Sequence, residues 1–178
     1  MKQILKRITA VLVIFFIVTT AAAQQDTSSV KSYIKLCADS MLNSFLKKDY
    51  RTMAKFSNET IVDMMGGEEA YASTIETTMS EGDMAEVKLE EAKVGNILQV
   101  VKTDAGFQCI VQQKVVMVLY ETRVISISPL HGYSNKEGKH WRFMDVGGQT
   151  AESLEMYITD FDKRLVIPKK ETSMEAIE

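Results

Sequence analysis

The chain is poor in the residues that usually announce chemistry: among its 178 residues there are two cysteines, two histidines, two prolines and one tryptophan. Two cysteines cannot build a disulfide scaffold, and with no CxxC pair and only His131 and His140 a metal site finds no support. Gly66-Gly67 and Gly147-Gly148 lack the surrounding glycines or lysine of a phosphate loop and read as breaks between elements. Ser134 has no GxSxG context and Cys109 has no recognisable base beside it, so nucleophilic catalysis lacks a motif. No cofactor-binding signature stands out. An excess of positive charge is also missing: removing Lys2, Lys6 and Arg7 with the first 23 residues leaves 18 of the 21 basic side chains against 24 acids, net −6. That balance gives no electrostatic reason to expect nucleic acid or an anionic lipid surface as a partner.

What is present is a globular composition, 46% hydrophobic and 25% charged, enough for one domain burying roughly two-thirds of its unfolded surface. The N-terminus runs from a basic stretch, Met1 to Arg7, through an apolar run, Ile8 to Val18, to Thr19-Thr20-Ala21-Ala22-Ala23-Gln24. This is the plan of a signal peptide over residues 1–23, with small side chains at Ala21 and Ala23 suiting cleavage before Gln24. The apolar run of 11 residues is short for a helix that crosses a bilayer, which needs about 20. The expectation is an exported chain, periplasmic or extracellular, free of the membrane after cleavage; retention as an anchor is the competing reading. Export is compatible with a disulfide between Cys37 and Cys109, which stand 72 residues apart in apolar segments, and equally with two reduced core thiols.

Along residues 24–165, read as a single domain, the periodicity changes once. Val30, Tyr33, Ile34, Cys37, Met41, Leu42, Phe45 and Leu46 have helical spacing, Asp49 is placed to cap a second short helix, and Glu68 to Ser80 reads as a third. Ile61 to Met65 reads as a short strand ended by Gly66-Gly67. From Val87 the period becomes two, with a parity change near Glu90-Glu91 that predicts a bulge. Between Phe107 and Tyr120 the odd positions are apolar apart from Gln113, while the even ones begin polar and turn apolar, so one face is buried and the other becomes covered towards the strand's end. Thr122 to Ser128 is a further strand, Pro129 to Gly138 a polar turn, and His140 to Val146 the last strand. Thr150 to Asp162 has the pattern of a terminal helix, and residues 166–178 read as a flexible tail. Helices followed by an antiparallel meander make an α+β fold.

This order, closing on Gly138-Lys139-His140-Trp141-Arg142-Phe143-Met144-Asp145-Val146, resembles the nuclear transport factor 2-like superfamily over roughly residues 30–148. The resemblance implies a strongly curved, mainly antiparallel sheet forming a cone, with N-terminal helices packed in its concavity and a short C-terminal helix. It also implies a choice among small enzymes, ligand binders and interaction domains, because a fold does not transmit a function. The enzymes of the superfamily carry titratable side chains inside the cone, and their full set does not map onto this sequence.

Asp145 is the best single carboxylate, since it shares strand parity with Trp141 and Phe143; its plainer role is an acid at a strand end that faces solvent or accepts a hydrogen bond from a turn. Tyr120 and Tyr133 offer hydroxyls. Glu121 and Arg123 share a face, with Arg142 on the next strand, either as a polar lining or as cross-strand ion pairs. His131 and His140 flank the turn and read as exposed loop histidines. Met64, Met65, Met117 and Met144 suit an adaptable apolar pocket or irregular gaps in a core. The leading expectation is therefore a non-catalytic binder of a small apolar molecule or a protein partner, with Trp141, Phe143, Asp145, Tyr120 and Arg123 as ligand candidates. The alternative is a small isomerase, dehydratase or hydrolase with Asp145 as base and Tyr120 as donor, and a homodimer through the exposed sheet face is a third reading.

Overall fold

The computed structural model describes residues 28–158 and 160–177. The predicted signal peptide lies outside the described residues. The chain divides into two compact units, Met1–Ser32 and Tyr33–Glu178. In the first, residues 28–32 are helical, with Ser32 Oγ donating to the Ser28 carbonyl. Everything below concerns the second.

That unit is α+β. Helix α1 covers residues 33–46 and buries Ile34, Cys37, Ala38, Met41 and Leu42, the stripe its spacing predicts. The Asp49 side chain accepts from Thr52 N–H and so starts α2, Tyr50–Phe56. The next segment departs from expectation: α3, Glu59–Met64, is a helix where a strand was read. Its cap decides the matter, because Asn58 Oδ1 accepts from Ile61 N–H at 3.1 Å, while a five-residue apolar run looks alike in either structure. Helix α4, Glu68–Ser80, has the predicted bounds, and Gly67 enters it at φ 97°, a left-handed backbone that suits glycine.

The sheet runs β1 (Lys88–Lys102), β2 (Phe107–Leu119), β3 (Thr122–Ser134) and β4 (Trp141–Asp145), all antiparallel neighbours in that order. The β1 register slips between Leu89 and Glu91, at the predicted bulge, and twice more between Val94 and Gln99. Strand β3 extends through residues read as a turn. Pro129 is tolerated there because its carbonyl accepts from Val146 N–H on the β4 side, so its missing N–H faces the same side, beyond the last residue that β5 pairs and before the first paired by β4. The true hairpin is the short stretch between Ser134 and Trp141, which form the last β3–β4 pair.

The C-terminus differs most. Thr150 forms a capping box with Ser153, yet α5 spans only Ala151–Leu154. Gln108 explains the early stop: its side chain donates to the Asp160 carbonyl and accepts from Asp162 N–H, engaging backbone groups that a continued helix would bond internally. Leu154, Ile158, Phe161 and Leu165 nonetheless pack with Ile110 and Val146 as a core on one sheet face. Consequently the even-numbered face of β2 is covered first at its beginning, with Gln108 and Ile110 buried, and not only towards its end. Residues 171–176, expected in a loose tail, form β5 (Glu171–Ala176), which pairs with Thr122–Ile127 of β3 while all six side chains stay exposed. A strand held by backbone bonds alone leaves no apolar pattern to read.

Candidate functional site

The opposite sheet face is built from alternate residues: Gln113, Val115 and Met117 of β2, Ser126, Ser128 and Leu130 of β3, and Phe143 and Asp145 of β4. Together with Met41, Leu42, Phe45, Met53, Ile61 and Tyr71 from the helices they line a cavity of about 330 Å³. Two contacts tie the start of α3 to this wall: Ser57 bridges to Phe143, and Asn58 N–H donates to the Phe143 carbonyl at 2.9 Å. The walls are mostly apolar, and the polar groups collect around Asp145.

Asp145 ends β4 with an exposed side chain at the cavity rim. Its Oδ2 accepts from Gln113 Nε2 at 2.7 Å and from Ser128 Oγ at 2.8 Å, while Oδ1 accepts from Gly147 N–H at 2.8 Å. Gln113 Nε2 also donates to Ser128 Oγ at 2.9 Å, and both side chains are buried. The carboxylate is thus oriented by three donors from three separate segments. Lys170, immediately before β5, lines the same cavity.

The other sequence candidates fall elsewhere. Phe143 lines the cavity, but Trp141 is buried beside it, stacked at 6.3 Å and donating from Nε1 to the Gly138 carbonyl. Tyr120 is exposed at the two-residue β2–β3 turn, with φ 53° and its hydroxyl 3.5 Å from Asp83. Eight residue steps along β3 separate Thr122 at that turn from Leu130, the partner of Asp145, about 26 Å at 3.3 Å per residue. Tyr120 therefore cannot serve Asp145. Arg123 pairs with Glu90 at 3.0 Å across the sheet, and Glu121 takes no part in that pair. Arg142 donates to the Ser57 carbonyl and lines a second cleft with Cys37, Lys55, Tyr133 and His140. The Tyr133 hydroxyl accepts there from Glu59 N–H, and burial raises its pKa.

His131 is a clear correction to the loop reading. It is completely buried in β3, pairs with Met144 and packs against Phe161 at 5.4 Å, whereas His140 is exposed in the hairpin. Burial pushes the His131 pKa down to about 4. Cys37 and Cys109 are both buried free thiols, not bridged to each other, and burial raises the pKa of each. Among the methionines, Met117 and Met144 line the cavity while Met64 is exposed. Among the described residues no three His, Cys, Asp or Glu side chains gather as a metal site, and no helix is long and apolar enough to cross a membrane.

Sequence reasoning passed over Gln113, Ser126, Ser128 and Lys170. Gln113 had a signal, as the one polar exception on the buried face of β2. Ser126 and Ser128 share parity with Leu130, but serine on a strand is too common to stand out. Lys170 had none. No family model, curated protein or solved structure matches this chain.

Proposed function

We propose that this chain is an exported binding protein of nuclear transport factor 2-like architecture, with its helices packed in the concavity of a curved sheet and its cavity taking one small, largely apolar molecule with a polar group. The observation that carries the reading is the cavity itself: apolar walls that end in a hydrogen-bonded cluster, Asp145, Gln113 and Ser128, held in one geometry. A few placed polar groups in an apolar concavity are how small-molecule sites fix orientation, and about 330 Å³ lies at the lower end of their usual size. The acid/base alternative keeps Asp145 but loses its hydroxyl donor, since Tyr120 sits at the far turn.

A neutral apolar dye, N-phenyl-1-naphthylamine, tests the reading by fluorescence. Saturable binding at one site is expected, reduced in Met117→Trp, whose larger ring enters the cavity from a half-buried position. No binding to the folded wild type, together with a bare mass in native mass spectrometry of the protein from its own host, defeats it. The same spectrum checks export, for which a chain beginning at Gln24 is expected.

A further inference from the structure

The polar end of the cavity has a defined shortage. A carboxylate has no hydrogen to give, so the Gln113 amide must turn its nitrogen towards Asp145 Oδ2, 2.7 Å away. Its oxygen then points away, and no described residue donates to it, although the side chain is only 6% exposed. The Ser126 hydroxyl, on the same wall in a residue 7% exposed, has no hydrogen-bond partner among the described residues. Asp145 has filled three of its roughly four lone-pair directions. These acceptors line the cavity and take no donor from the described residues beyond those named, so this wall is complementary to a group carrying several hydrogens and a positive charge.

Lys170 adds the opposite requirement at the same end. A methyl placed on Gly147 would lie 3.0 Å from Asp145 Oδ1, 3.1 Å from Ser128 Cβ and 3.2 Å from Lys170 Cδ, so the lysine stem reaches the cluster. Its ammonium pairs with no acid among the described residues, Asp145 included. It remains available to an anion.

Resting on the reading of this cavity as a ligand site, we propose that its ligand is an apolar amino acid: the ammonium group meets Gln113 Oε1, Ser126 and Asp145, the carboxylate meets Lys170, and the side chain lies among Phe45, Met117 and Phe143. The zwitterion answers both charges at once. An amine alone leaves Lys170 unmatched and beside a like charge; a carboxylic acid alone leaves the acceptors unfilled.

Competition against N-phenyl-1-naphthylamine separates these cases with L-phenylalanine, 2-phenylethylamine and 3-phenylpropionate, which share one ring and differ in the head. L-Phenylalanine is expected to displace the dye, with each single-headed compound about tenfold or more weaker, the loss of one charge-assisted hydrogen bond. Lys170→Gln, at an exposed position that does not endanger folding, is expected to bring L-phenylalanine to the level of the amine. Asp145→Asn is expected to weaken L-phenylalanine while leaving 3-phenylpropionate no weaker. Either single-headed compound equalling L-phenylalanine in the wild type overturns the proposal, as does an unchanged L-phenylalanine affinity in Lys170→Gln. If the dye binds and none of the three displaces it, the amino acid falls and the cavity stands; if the dye itself fails to bind, the cavity reading falls with it.

Discussion

One buried imidazole makes this fold sensitive to acid. Gln108 Nε2 donates to the Asp160 carbonyl, which leaves Gln108 Oε1 as the acceptor of both Asp162 N–H and His131 Nε2 at 3.2 Å. His131 must therefore carry its hydrogen on Nε2, and Nδ1 is buried with no partner. Burial disfavours the charged ring and lowers its pKa to about 4 from the 6.5 of an unperturbed histidine, and a proton on Nδ1 would find nothing to accept it. Between those values the unfolded chain binds a proton that the folded chain does not, so stability falls as pH falls. At about 1.4 kcal/mol per pH unit the interval amounts to ~3 kcal/mol, complete near pH 4 and absent above pH 7. Urea unfolding of the wild type and His131→Gln at pH values from 7.5 to 4 measures it. The wild type should lose ~3 kcal/mol more than the variant across that range, because the glutamine keeps a donor for Gln108 and does not titrate. Parallel stability curves for the two proteins would refute the argument.

Two further outcomes are expected. Gly132→Ala would set a methyl 2.6 Å and 2.7 Å from the Phe143 ring and 2.8 Å from Cys109 Sγ, all within the buried wall, and should cost about 1–3 kcal/mol in urea unfolding; an unchanged midpoint would show that this wall can give way. Ellman's reagent should find no fast-reacting thiol in the native protein and two after denaturation, since Cys37 and Cys109 are free, buried and held as thiols, and a denatured protein without titratable thiols would contradict the structure.

Local patterns determined much of this protein. The period change at Val87, the α4 span, the Asp49 cap and the bulge beside Glu90 are consequences of side chains three, four or two residues apart, and neighbours in sequence suffice to set them. The α+β class follows from their order. For the site, the alternation of Trp141, Phe143 and Asp145 correctly put one carboxylate on the same strand face as a cavity-lining ring. Only the tertiary structure decided the rest, because it turned on pairings between distant segments. Gln108 captured backbone groups more than fifty residues away and ended a helix whose apolar spacing continues to Phe161. The same clamp made a core residue of His131, a histidine whose polar neighbours had suggested a loop. Strand β5 formed on backbone hydrogen bonds, which every sequence possesses and none displays, and with it came the one lysine of the cavity. Tyr120 and Asp145, attractive as a pair on paper, were separated by the length of β3 once the register was set, and Asp145 acquired Gln113 and Ser128 in its place.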